Sequence, residues 1–154
     1  MRVEWKRNMT KLNQIQTRIN HLFKPCKFGW KRYNGHCYFP FNLKKNWFEA
    51  QMHCRNQGAT LLQIDDSSER MWLSKNFPNV PYWIDLTDTG VEGKWMMFST
   101  GKLVQFKSWS KGQPDDWKHD QDCAYNNFSK QLGLWDDGGC NWSIAFVCES
   151  SGPE

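Results

Sequence analysis

Six cysteines, at 26, 37, 54, 123, 140 and 148, constrain this chain more than any other feature. Their number is even, no two form a CxxC pair, and no Cys/His group has zinc spacing, so three disulfides are the natural reading. Six cysteines allow fifteen pairings, and spacing does not choose among them. Disulfides persist in oxidising compartments, which points to a secreted domain or one on the extracellular side of the plasma membrane. The sequons Asn8-Met9-Thr10, Asn127-Phe128-Ser129 and Asn141-Trp142-Ser143 agree with that setting without deciding it. Met1-Arg-Val-Glu-Trp5 lacks an apolar h-region, so a leader or membrane anchor is expected to have been removed or left out of this stretch of chain.

A length of 154 residues with ten tryptophans supports one well-buried core and is short for two. The mean hydropathy of -0.79 and the lack of a long apolar run argue against a membrane span within the sequence. The net charge of +4 hides a split: the N-terminal third is rich in Lys and Arg, whereas acids gather at Asp65–Asp66 and from Asp115 to Asp137. No dense Lys/Arg stripe interleaved with aromatics is present, so nucleic acid is not an expected partner.

Three segments emerge from periodicity. In residues 3–23, Trp5, Leu12, Ile15, Ile19 and Leu22 fall on one helical stripe, with Asn8 filling the missing seam position. This segment, 1–24, reads as a neck that forms a homo-oligomer through residues 3–23 as a short coiled coil, or else as an amphipathic helix packing on its own domain. Pro25 ends it. From Cys26 onward the texture changes to short aromatic runs. Asn34-Gly35 predicts a tight turn between strands. Trp47, Ala50, Met52 and Cys54 predict a helix closed by Gly58, and Asp66-Ser-Ser-Glu69 is a capping-box pattern opening another. After Tyr82-Trp-Ile-Asp-Leu86 only short strands and polar loops are expected, making the fold class α+β.

A series of landmarks then appears in order: Trp83-Ile-Asp-Leu86, Glu92-Gly-Lys-Trp95, Trp109, Gln113-Pro-Asp115, Cys123, Trp135-Asp-Asp137, Cys140 and Phe146-Val-Cys148-Glu149. On these residues the chain resembles the C-type lectin-like family from Cys26 to Glu149, which implies a domain over 26–149 and leaves 150–154 as a tail. The resemblance implies that fold, two helices with antiparallel sheets and a long calcium-binding loop region. It also implies the long-form pairing Cys26–Cys37, Cys54–Cys148 and Cys123–Cys140.

Ca²⁺ takes roughly six to eight oxygen ligands from carboxylates, amides and carbonyls. Gln113, Asp115, Gln121, Asp136 and Asp137 can supply them, and the resemblance places these five at the family's sugar-binding calcium site, with Pro114 cis. Two positions depart from the family pattern: Gln121 stands where Glu is usual and Asp136 where Asn is usual. Together they conserve two amides and three carboxylates, so the charge available to Ca²⁺ is relocated and not lost. Gln-Pro-Asp resembles the galactose-type members, which implies terminal galactose or N-acetylgalactosamine as the ligand. Trp117 stands where those members carry a stacking Trp, in a context too polar for burial, although the glycine-rich insertion that orients that Trp in tight binders is missing.

Asp88, Glu92, Asp116 and Asp122 match the family positions of an auxiliary Ca²⁺. The alternative to sugar binding is a C-type lectin-like receptor domain for a protein ligand. An enzyme is not expected: chelating carboxylates such as Asp136–Asp137 must stay ionised, whereas a glycosidase acid needs a raised pKa.

Overall fold

The computed structural model describes residues 2–22 and 25–150. Helix α1 (Arg2–Leu22) is followed by β1 (Lys31–Tyr33), β2 (His36–Lys45), α2 (Trp47–Asn56), β3 (Thr60–Leu61), α3 (Ser67–Asn76), β4 (Tyr82–Thr87), β5 (Met96–Met97), β6 (Lys102–Leu103), β7 (Cys123–Asn126), β8 (Trp135–Gly138) and β9 (Ile144–Ser150). Residues 151–154 of the expected tail 150–154, and the neck boundary 23–24, lie outside the described residues. Strand β9 carries its pairing through Ser150, opposite Cys37, one residue past the expected domain end.

The turn at Asn34-Gly35 has φ of 47° and 81°, the left-handed pair that joins β1 to β2. Helix α2 opens with a complete capping box: Glu49 N donates to Asn46 Oδ1 at 2.8 Å, and Asn46 N donates to Glu49 Oε1 at 3.1 Å. Its inward face is Trp47, Ala50, Gln51 and Cys54. Met52, expected on that face, is exposed, because it lies two residues from Ala50 and so points away from the i, i+3, i+4 stripe.

Helix α3 departs from its expected cap. Asp66 Oδ1 accepts from Glu69 N at 2.7 Å, but Glu69 does not return the bond to residue 66. Its Oε1 accepts from Asp65 N and its Oε2 from the buried hydroxyl of Tyr38. A tertiary partner on β2 has recruited the carboxylate that sequence pattern assigned to the helix end.

The sheet runs in the order β1-β2-β9-β4-β5-β6, with β3 also on β9 and the β7–β8 ladder attached to β4. Its ladders are antiparallel except one, in which β4 runs parallel to β9 at Tyr82–Ala145 and Trp83–Phe146. Every residue of β4 is buried, and its two-residue alternation divides the core. Tyr82, Ile84 and Leu86 pack with Leu62, Leu73, Trp135 and Val147 on one side; Trp83 packs with Trp47, Cys54, Phe146 and Cys148 on the other. Trp47, Trp83 and Trp135 are at most 1% exposed, and truncating such a residue to Ala costs roughly 3–5 kcal/mol. Asp85, on the same strand and fully buried, accepts from Gln51 Nε2 at 2.6 Å, Gln63 Nε2 at 2.7 Å and Ser99 N at 3.0 Å, so its charge is held by three donors.

Disulfides join Cys26–Cys37, Cys54–Cys148 and Cys123–Cys140. Cys54–Cys148 ties α2 to β9 across 94 residues, a closure worth roughly 4–5 kcal/mol on chain-entropy reasoning. Cys123–Cys140 links the start of β7 to the turn after β8 and so fixes the strands that carry Asp136 and Asp137.

Among the described residues, helix α1 places no side chain in this core. Trp5, Leu12, Ile15 and Ile19 are 66%, 57%, 52% and 42% exposed, so these four positions of the expected stripe do not pack on the domain; the side chain of Leu22, its fifth position, lies outside the described residues.

Candidate functional site

Strand β8 ends in two adjacent acids, and each is held from a different direction. Asp137, fully buried, reaches across to the loop: its Oδ1 accepts from Asp115 N at 3.2 Å and its Oδ2 from Asp116 N at 2.7 Å. Asp136 is held from within the sheet, where the hydroxyl of Tyr125, its register partner on β7, donates to Oδ2 at 2.9 Å. One carboxylate oxygen from each of Asp115, Asp136 and Asp137 lies within 4.8 Å of the others. The Gln113–Pro114 peptide between this loop and the preceding turn is cis.

Asp136 Oδ1 in this cluster is buried without a hydrogen-bond partner, and so is Gln113 Oε1, on the residue two positions before Asp115 in the chain. A buried acceptor left unpaired costs on the order of 1–3 kcal/mol, so a hard cation that takes oxygen ligands fits the donor set present. Burial and the adjoining Asp137 push the Asp136 carboxyl up to about 7, against the opposing pull of the Tyr125 hydroxyl. Such repulsion between neighbouring acids is what a divalent cation relieves.

Gln121, also buried, is turned toward the loop backbone: its Oε1 accepts from Trp117 N at 3.3 Å. Residues 116–119 are unusual in their backbone, with φ of 46° at Asp116, 59° at Lys118 and 57° at His119 around a short 3₁₀ turn, Trp117–His119. Trp117 is 60% exposed, and the Lys118 ammonium lies 4.3 Å from its ring centroid, so one face of the indole carries a cation.

A second acidic group forms from Asp88, Glu92 and Asp122, again with carboxylate oxygens within 4.8 Å. Asp88 Oδ2 accepts from Gly93 N at 2.8 Å while its Oδ1 is buried and unpartnered. Burial, reinforced by Asp122, raises the Asp88 carboxyl to about 6. Asp116 is not within this 4.8 Å group: its Oδ1 accepts from Gln121 N at 3.1 Å and its Oδ2 lies 3.3 Å from His119 Nδ1.

Tyr125 is the site residue that motif reading passes over. Its signal was the β7–β8 pairing that sets it opposite Asp136, which becomes visible only once the register is known. A separate groove of about 240 Å³, lined by uncharged residues including Phe41, Asn76, Phe77, Tyr82 and Phe146, holds none of these acids.

A family model described as Lectin C-type domain matches residues 43–150. Lectin BRA-3 of Megabalanus rosa is 34% identical over 127 residues, covering 81% of this chain and 77% of its own length. Mouse C-type lectin domain family 4 member F is 32% identical over 145 residues, 90% of this chain, and the chain spans 26% of that longer protein. Among solved structures, the carbohydrate-recognition domain of the mouse scavenger receptor C-type lectin matches with a TM-score of 0.79 and 29% identity over 84% of this chain and 100% of that one. Herring type II antifreeze protein matches with a TM-score of 0.73 and 26% identity, over 81% of this chain and 98% of that one.

Proposed function

The chain belongs to the C-type lectin domain family, and we propose that it binds glycans in a Ca²⁺-dependent manner, with terminal galactose or N-acetylgalactosamine as the preferred residue. Domains of this family are binding modules and not enzymes. The observation that carries the metal reading is the buried, unpartnered Asp136 Oδ1 within the converging Asp115, Asp136 and Asp137 carboxylates, with the Gln113 side-chain oxygen also buried and unpartnered.

In this reading Gln113, Asp115, Gln121, Asp136 and Asp137 hold the ion, and Asp88, Glu92, Asp122 and the nearby Asp116 hold an auxiliary one that stiffens the loop. An ion held there would supply the positive charge that draws two sugar hydroxyl oxygens to the site. The residues around it supply the rest: amides of Gln113 and Gln121 donate, carboxylates accept, and so a vicinal diol is recognised by direction as well as by charge. Trp117 offers an apolar face to the C–H patch of galactose, on the side of the indole away from Lys118. The exposed stripe of α1 supports a neck that associates with copies of itself, which would set several such sites side by side on the extracellular surface or in a secreted oligomer.

The test is retention on galactose- and N-acetylgalactosamine-agarose in Ca²⁺ with elution by EDTA. Retention that survives EDTA would overturn the metal-bridged reading. Trp117→Ala is expected to weaken galactoside binding about 2- to 10-fold while leaving Ca²⁺ affinity unchanged. Failure to retain on these or any other immobilised glycan would favour a protein ligand, a reading kept open by the antifreeze protein, which shares the fold under a different function.

A further inference from the structure

The turn after β8 carries an aromatic side chain that the calcium reading leaves unused. Trp142 is 43% exposed, yet its indole is seated in a fixed place, over the backbone of Gly138 and Gly139. A Cβ on Gly138 would lie 2.9 Å from Trp142 Cζ3, and one on Gly139 would lie 2.6 Å from Trp142 Nε1. Only glycine at both positions leaves room for the ring. Trp142 N also donates to Gly139 O at 2.9 Å, closing the turn beneath it.

That place is next to the acids. Gly138 follows Asp137 directly and, two residues beyond Asp136 on β8, shares its face of the sheet, roughly 7 Å further along the strand. Tyr125 bridges the two: its ring centroid is 6.3 Å from that of Trp142, its hydroxyl is bonded to Asp136, and its Cε1 would lie 3.1 Å from a Cβ on Gly138. The sequence Asp136-Asp137-Gly138-Gly139 thus ends in a bare backbone that an exposed indole roofs, in continuity with the candidate sugar site. Trp142 keeps 43% of its surface in water while its edge is fixed by the glycines.

We infer that Trp142 is the platform of a second subsite, which receives the group attached through the glycosidic bond to the metal-bound sugar and stacks on its apolar face. This rests on the calcium-dependent reading above. Pyranose rings and aryl aglycones both present an apolar face of the size an indole covers. The subsite accordingly discriminates by the group linked to the terminal sugar, whereas Gln113, Asp115, Asp136 and Asp137 discriminate by the terminal sugar itself.

The experiment compares the methyl and 4-nitrophenyl glycosides of galactose and of mannose, in both anomers, by calorimetric titration in Ca²⁺. The quantity read is the affinity ratio of the nitrophenyl to the methyl glycoside of the same sugar, so that the methyl compound is the internal reference. Wild-type protein is expected to prefer a nitrophenyl glycoside by about 3- to 10-fold. Trp142→Ala is expected to bring the ratio close to one, Trp142→Phe to retain part of it, and Gly138→Ala to reduce it by pushing the indole off its seat. Unchanged Ca²⁺ affinity in the Trp142 variants shows that the fold is intact. A ratio near one in the wild type, or one that persists in Trp142→Ala, overturns the subsite and leaves calcium-dependent binding standing. Absence of binding by every glycoside in the wild type overturns the calcium-dependent reading, and the subsite falls with it.

Discussion

Tyr125 and Asp136 face each other across the β7–β8 ladder, and the Tyr125 hydroxyl donates to Asp136 Oδ2 at 2.9 Å, leaving Oδ1 as a buried oxygen without a partner. The bond fixes which carboxylate oxygen is available. Tyr125→Phe keeps the ring packing and removes that restraint. Ca²⁺ affinity is expected to fall about tenfold with little change in thermal stability, as read by titration calorimetry and melting curves. Unchanged affinity would mean that Tyr125 does not orient a ligand.

Gln121 and Asp136 together preserve three carboxylates and two amides in the proposed ligand set. Asp136→Asn alone removes one of three negative charges and is expected to lower Ca²⁺ affinity by about tenfold or more; adding Gln121→Glu restores the count. Recovery in the double variant, measured by displacement of bound terbium, is the expected result. A double variant weaker than the single one would show that the two positions do not compensate.

The pH dependence arises from several groups that hold protons longer in the fold than outside it. Burial raises Asp88 to about 6, Asp136 to about 7 and Glu149 to about 7, and the neighbouring Glu149, 3.7 Å away, raises His36. For the acids, the unfolded chain ionises near pH 4 while the folded one resists, so folding stability declines as pH rises through the window up to about 7. For His36 the stabilisation is complete below 6.5 and is lost as pH rises through its folded value. The signs agree: in EDTA the melting temperature is expected to fall between about pH 5 and pH 8. Ca²⁺ should restore it at the high end. A melting temperature that climbs over this range in EDTA would contradict the assignment.

Of the three sequons, Asn127 is closed to modification in the folded protein. It is 2% exposed, its Nδ2 donates to Phe77 O and Val80 O, and its Oδ1 accepts from Gly133 N at 3.0 Å. Asn8 and Asn141 are exposed. Peptide mass spectrometry of folded protein secreted from a eukaryotic host is expected to find Asn127 bare, with any N-glycan confined to Asn8 and Asn141. A glycan at Asn127 in folded protein would require this loop to be rebuilt.

Helix α1 exposes Trp5, Leu12, Ile15 and Ile19 along one stripe. Self-association through that stripe is expected in sedimentation velocity at tens of micromolar, and Leu12→Glu with Ile15→Glu should yield a monomer without altering Ca²⁺ affinity. A wild-type protein that sediments as a monomer at this concentration would remove the neck from the proposal.

The local signals survived well in this chain because they depend on neighbours in sequence. Cysteine number, the Asn34-Gly35 turn, the stripes of α1 and α2, the Asp66 cap and the run of acids from 115 to 137 are all written within windows of a turn or two. What the tertiary structure decided involves residues far apart. Glu69 left its expected cap partner for Tyr38, 31 positions away, because a buried hydroxyl needs an acceptor more than an exposed helix end does. Asp137 reached the amides of Asp115 and Asp116 across more than 20 residues. Burial of β4 on both faces, with β9 beside it, set Tyr82, Ile84 and Leu86 in one cluster and Trp83 in another, and the seat of Trp142 depended on two glycines that only a folded turn brings beneath it. Sequence alone determined which residues could serve as ligands, strands and staples. Packing decided which of them meet, since the free energy of a buried hydrogen bond or a shared carboxylate cluster depends on its surroundings and not on the spacing of its parts along the chain.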